Sequence, residues 1–127
     1  MKLYESAEDY LETILMLSEE LEQVRSVDVA NKMSFSKASV SVAMKKLREQ
    51  NLVEFDSDGG IHLLPKGREI AERVYQKHMA IARFLRQIGV DPVTATQEAC
   101  KIEHDISEDT FLKLIAHSQA IEEMKNS

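Results

Sequence analysis

Within this 127-residue chain, one stretch alone departs from helical spacing: Leu52-Val-Glu-Phe-Asp, then Ser57-Asp-Gly-Gly, then Ile61-His-Leu-Leu. Two short apolar runs flanking a glycine-containing turn form the pattern of a β-hairpin. Elsewhere the apolar residues recur every three or four positions, the period of an amphipathic helix. With four glycines and two prolines, other tight turns are few. The expected fold is mainly α with one small β-hairpin, and the hairpin's place in the order of elements restricts which fold that is.

A first helix is expected over about residues 6–22, capped by Ser6. Its apolar stripe is Tyr10, Ile14, Leu17 and Leu21, widened by Leu11 and Leu15. A short second helix covers about residues 26–32, followed by the tight connection Met33-Ser-Phe-Ser. Ser36 then caps a third helix that reaches about Gln50 and buries Val40, Ala43, Met44 and Leu47. Helix, short turn, helix is the helix-turn-helix arrangement, and a hairpin directly after it makes the unit winged. Pro65 opens a long fourth helix that stops before Gly89, with Ile70, Val74, Ile81, Leu85 and Ile88 as its stripe. Asp91-Pro92 starts a fifth helix to about His104, and Ser107 caps a sixth. The expected division is a winged helix-turn-helix over residues 1–65 and a helical region over residues 66–127. Phe111, Leu112, Leu114, Ile115 and Ile121 keep the last helix apolar, a surface that a second copy of the chain is expected to cover.

Composition excludes several classes. The N-terminus is charged and amphipathic, unlike a secretion signal, and no apolar run approaches the ~18 residues of a membrane span. A single cysteine cannot form an intramolecular disulfide, which suits a reducing cytoplasm. There is no Ser-His-Asp set, phosphate loop or cofactor fingerprint, so an enzyme is not expected. Sixteen Lys and Arg stand against 22 Asp and Glu, a net charge of -6, so nucleic-acid binding must rest on a locally basic surface.

The third helix offers such a surface. Ser36, Lys37, Ala38, Ser39, Val42, Lys45 and Lys46 lie off its core face and are the candidate DNA contacts. The lysines and Arg48 suit phosphates, the serine hydroxyls stand in the half that enters a major groove, and Val42 suits a thymine methyl. No Arg, Asn or Gln occupies the first two turns, so direct readout should be modest and DNA shape should matter. The wing is acidic at Glu54, Asp56 and Asp58 and should add little to phosphate binding.

Cys100, Glu103 and His104 follow i, i+3, i+4 spacing, which puts thiol, carboxylate and imidazole on one helix face. Thiolate and imidazole together shift a site from magnesium or calcium toward a divalent transition metal. Asp9 and Glu12, one turn apart on the first helix, and His78 in the fourth are the other candidate ligands. Each has an ordinary reading alone: surface acids, a satisfied core histidine, a small buried thiol. Their joint presence in this element order favours ligation. A metal held by all three helices would lock them together, as a switch requires.

Glu8-Asp-Tyr-Leu-Glu12, Pro65-Lys-Gly67, His78 with Phe84-Leu-Arg-Gln-Ile-Gly-Val90, and above all Glu98-Ala-Cys-Lys-Ile-Glu-His104 with Ser107 resemble the diphtheria toxin repressor family across nearly the whole chain. The resemblance is to its short manganese-transport-regulator branch, without the SH3-like domain of the iron-type members. It implies a homodimeric, metal-activated repressor of metal-ion uptake genes that binds double-stranded operator DNA and joins through its C-terminal helices. It also implies metal ligands at Asp9, Glu12, His78, Cys100, Glu103 and His104. Asp9 matches the manganese branch, whereas Cys100 matches the iron branch, where the manganese branch has a bridging Glu. Ala82 and Thr96 replace ligands of the iron branch's ancillary site. The expected effector is Fe2+ or Mn2+, with Co2+, Ni2+, Zn2+ or Cd2+ as further ions for binding in vitro. The expected main site is Asp9, Cys100, Glu103 and His104, with Glu12 and His78 forming a weaker second one. The alternatives are a metal-independent winged-helix protein-interaction module and a metal buffer whose ion leaves DNA affinity unchanged.

Overall fold

The computed structural model describes residues 2–126, with side chains from residue 7 onward. The elements are α1 (Lys2–Glu20), α2 (Ser26–Met33), α3 (Lys37–Glu49), β1 (Val53–Phe55), β2 (Ile61–Leu63), α4 (Pro65–Gln87), α5 (Pro92–Asp105) and α6 (Glu108–Lys125). This is the expected mainly α fold with a two-stranded hairpin after the helix-turn-helix. The chain forms two compact units, Met1–Arg73 and Val74–Ser127, so the boundary falls inside α4.

In the N-terminal unit, Leu11, Ile14, Val29, Val40, Met44 and Val53 are the largest fully buried side chains. Each such aliphatic side chain stabilises the unit by about 1.5–3 kcal/mol. The turn between α2 and α3 is closed by Ser34 in the left-handed region (φ 59°), whose N–H donates to the Ala30 carbonyl. The Ser36 side chain accepts from the Ser39 N–H and starts α3. Asn51 (φ 62°) ends it, with the Leu52 N–H donating to the Leu47 carbonyl, a Schellman-type close. β1 and β2 pair antiparallel with Glu54 opposite His62. Asp56 fastens their turn: its Oδ1 accepts from the N–H groups of Asp58 and Gly60 at 2.9 Å each. Gly67, in the first turn of α4, lies so close to the Leu52 carbonyl oxygen that a Cβ there would collide with it.

In the C-terminal unit, Ile81, Ala82, Ala99 and Phe111 form the core, with Leu85, Ile102, Ile106 and Ile115 packed around it. Small side chains at Ala82 and Ala99 favour close helix packing. Asp91 caps α5 by accepting from the N–H groups of Val93 and Thr94, and Ser107 caps α6 by accepting from Thr110. Gln87 Nε2 donates to Glu122 Oε1 (2.8 Å), and the Ser118 hydroxyl donates to Gln87 Oε1 (2.8 Å). This polar bracket pins α6 to the end of α4.

Four expectations need correction. Phe111 and Ile115 pack in the core of their own unit, so they are not part of the surface left for a second copy. α1 begins at Lys2, so Ser6 stands inside the helix and not at its cap; the Ser6 side chain lies outside the described residues. Leu21 falls just past the end of α1 and is exposed, so the stripe stops at Leu17. Ile88 likewise follows the last residue of α4, where Gly89 (φ 102°) turns the chain, and it is 58% exposed.

Candidate metal centre

Within the C-terminal unit, α4 contributes His78 and α5 contributes Cys100, Glu103 and His104. Helical spacing places the three α5 side chains on one face, and the structure brings that face to His78. Cys100 Sγ lies 3.4 Å from His78 Nδ1. The same nitrogen is 3.3 Å from Glu103 Oε2, and His104 Nε2 is 3.5 Å from Glu103 Oε1. Glu103 is thus the centre of the group, with one imidazole facing each carboxylate oxygen.

The Glu103 side chain is fully buried, and those of His78 and His104 are nearly so. Neither Glu103 oxygen receives a hydrogen bond. Removing a carboxylate from water costs several kcal/mol unless hydrogen bonds or a cation replace the lost hydration. Two imidazoles at 3.3 and 3.5 Å meet that requirement only in part. The group therefore calls for a positive charge, and its oxygen, nitrogen and sulfur donors fit a divalent transition ion. Cys100 is the exposed member of the group.

The hydrogen bond to Cys100, and then the close ion-pair contact with the Glu103 carboxylate, push the His78 pKa up from 6.5 to about 10 against the opposing effect of burial. His78 is therefore an imidazolium at neutral pH. Ligation needs its neutral form, so an ion and a proton compete for Nδ1. Because the raised pKa reflects favourable contacts of the charged ring, its contribution to the stability of the ion-free protein is full below pH 6.5 and is lost as pH rises through about 10.

Asp9 and Glu12 lie one turn apart on α1, in the N-terminal unit, and Glu12 is buried. Ala82 is packed in the core, and Thr96 donates its hydroxyl to the Pro92 carbonyl of its own helix.

The candidate DNA contacts stand on α3 and at its cap. Ser36, Lys37, Ala38, Ser39, Val42, Lys45 and Lys46 are all exposed, Val42 to 56%. The Ser36 hydroxyl is already engaged in capping α3, which limits it as a base contact.

Two family models match the chain. One, the iron-dependent repressor N-terminal DNA-binding domain, matches residues 2–61; the other, the iron-dependent repressor metal-binding and dimerisation domain, matches residues 64–124. An uncharacterised HTH-type transcriptional regulator of Methanocaldococcus jannaschii is 35% identical over 112 residues, spanning 87% of this chain and 90% of that protein. The transcriptional regulator MntR of Escherichia coli is 32% identical over 107 residues, spanning 84% of this chain and 69% of MntR. A solved manganese-dependent transcriptional repressor in complex with manganese superposes with a TM-score of 0.82 at 27% identity, over 89% of this chain and 52% of that one. The manganese regulator SloR superposes at 0.74 with 36% identity, over 85% of this chain and 51% of its own. The chain thus spans about half the length of these two solved regulators. Order of elements, sequence and superposition agree: the chain belongs to the diphtheria toxin repressor family of metal-dependent transcriptional regulators.

Proposed function

We propose that the protein is a metal-activated repressor that binds operator DNA of metal-uptake genes as a homodimer in the cytoplasm. Its effector is Fe2+ or Mn2+. The observation that carries this reading is the buried Glu103 carboxylate, flanked by His78 and His104 and lacking hydrogen-bond donors.

A divalent ion, when bound, supplies the positive charge that this carboxylate calls for. Glu103 and His104 act as its central ligands, and Cys100 and His78 complete the share offered by α4 and α5. The family resemblance adds Asp9 and Glu12 of α1 to the ligand set. An ion that binds the DNA-competent form more tightly makes ion binding and DNA binding one coupled equilibrium. The thiolate tilts the set toward Fe2+, while the carboxylates keep it open to the harder Mn2+. Ile88, Val93, Leu112 and Met124 are exposed on the C-terminal unit, and such an apolar surface suits a second copy of the chain.

The test is linkage. Calorimetric titration with Mn2+ or Fe2+, run with and without promoter duplex, should show at least about tenfold tighter ion binding to the DNA-bound protein. Equal affinities would make the protein a metal buffer and refute a switch.

A further inference from the structure

The recognition helix α3 is bordered by two unlike clefts within the N-terminal unit. One, of about 410 Å3, lies between α1 and α3 and is largely apolar, with Tyr10, Val42, Ala43 and Leu47 in its lining. The other, of about 200 Å3, is lined by Ser26 from α2, by Ser41, Met44, Lys45 and Arg48 from α3, and by Phe55 from β1. Ser41, Lys45 and Arg48 follow i, i+4, i+7 spacing and so stack along one side of α3, beside the buried Met44. The Arg48 guanidinium carbon sits 5.4 Å from the centre of the Phe55 ring. Among the described residues, no carboxylate lines this cleft. Asp28, in the first turn of α2, is turned back to accept from the Arg25 N–H at 2.9 Å. In a chain of net charge -6, two cations and two hydroxyls without an acid make a local reversal of sign.

We infer that this cleft clamps one backbone phosphate of duplex DNA. Arg48 and Lys45 supply the charge, and the Ser41 and Ser26 hydroxyls supply further donors. The inference rests on the DNA-binding reading above and deepens it. A free anion is the weaker match, because the cleft flanks the same helix whose exposed face carries Ser39, Val42 and Lys46. A helix lying in a major groove is bordered by phosphate strands. Phe55 makes the clamp more than two mobile side chains. The cation–π contact with the Phe55 ring restrains the guanidinium, so less freedom is lost when it engages an anion. The wing then contributes through an aromatic face and not through its own charges, which are acidic.

The experiment is fluorescence anisotropy with the metal-loaded full chain, on a promoter duplex and a random-sequence duplex, across a range of KCl concentrations. Arg48→Gln should weaken both duplexes by the same factor, about tenfold at low salt. It should also lower the slope of log affinity against log salt by about 1.8 per dimer, about 0.9 for the one phosphate clamped by each subunit. Arg48→Lys should keep the wild-type slope while losing part of the affinity, which a folding defect would not do. Phe55→Leu should lose affinity with the slope intact. A wild-type slope and affinity in Arg48→Gln would overturn the clamp. So would a loss confined to the promoter duplex, which would make Arg48 a base reader. Arg48-dependent binding of inorganic phosphate with unchanged DNA binding would make the cleft a free-anion site and also overturn it. If the metal-loaded wild type binds neither duplex, the DNA-binding reading itself fails, and the clamp with it.

Discussion

The N-terminal unit closes around Leu11, Ile14, Val29, Val40, Met44 and Val53, with Glu12 its one buried carboxylate among the described residues. The interior of the C-terminal unit sets Ile81, Ala82 and Ala99 beside His78, Glu103 and Ser118. Ser118 is satisfied by Gln87, whereas Glu103 has no hydrogen-bond donor. The contrast separates two tasks. One unit draws its stability from ordinary apolar burial, so its winged helix can persist with or without an ion. The other keeps a carboxylate in its interior that a cation must answer, the His78 imidazolium in the ion-free protein and a metal ion in its place when one binds.

Leu11→Ala should break the first half of this contrast most severely. Leu11 is fully buried, and truncation there should cost about 2–5 kcal/mol. Urea unfolding should show the same loss in the chelated and metal-loaded proteins; a loss confined to one state would tie this core to the ion. Glu103→Gln probes the other half. An ion at a hundred times its Kd adds about 2.7 kcal/mol to a folded protein. Thermal melts should show that gain in the wild type and almost none in the variant, which should remain a folded dimer. A variant still stabilised by metal would move the site elsewhere. Gly67→Ala forces a Cβ against the Leu52 carbonyl and should cost about 1–3 kcal/mol in both states, read from chemical denaturation. Asp56→Asn should have the smallest effect. Hydrogen bonds from His62, and then from the Gly60 N–H, hold the Asp56 pKa down, from 3.8 to about 2. A depressed carboxylate pKa contributes stability above pH 3.8 that is lost as pH falls through about 2. Denaturation midpoints of variant and wild type should therefore differ at neutral pH and converge near pH 2. A constant offset would show that the Asp56 charge is not the cause.

Much of this was legible in the sequence because it depends on local chemistry. Ser36, Asp91 and Ser107 are caps whose side-chain oxygens meet first-turn N–H groups, and Pro65 suits the first turn of a helix. Spacing alone placed Cys100, Glu103 and His104 on one face. The misplaced start of α1 came from reading Ser6 as a cap when the helix continues through it to Lys2. Leu21 and Ile88 extend their stripes numerically, but the helix ends first, so they lose the face on which the pattern depends. What spacing could not show were encounters between elements distant in sequence. The Cys100–His78 contact spans 22 residues, Gln87–Ser118 spans 31, and the fit of Gly67 against Leu52 depends on how the hairpin returns to α4.

The most direct measurement of the central claim is an anaerobic titration of chelator-stripped protein with Mn2+ and with Fe2+, following fluorescence anisotropy of a labelled promoter duplex from a metal-transporter gene, for the wild type and Glu103→Gln side by side. The account predicts that at least one ion tightens wild-type binding tenfold or more, about 1.4 kcal/mol, and that neither does so for the variant. Unchanged wild-type affinity, or an equal response in the variant, would contradict it.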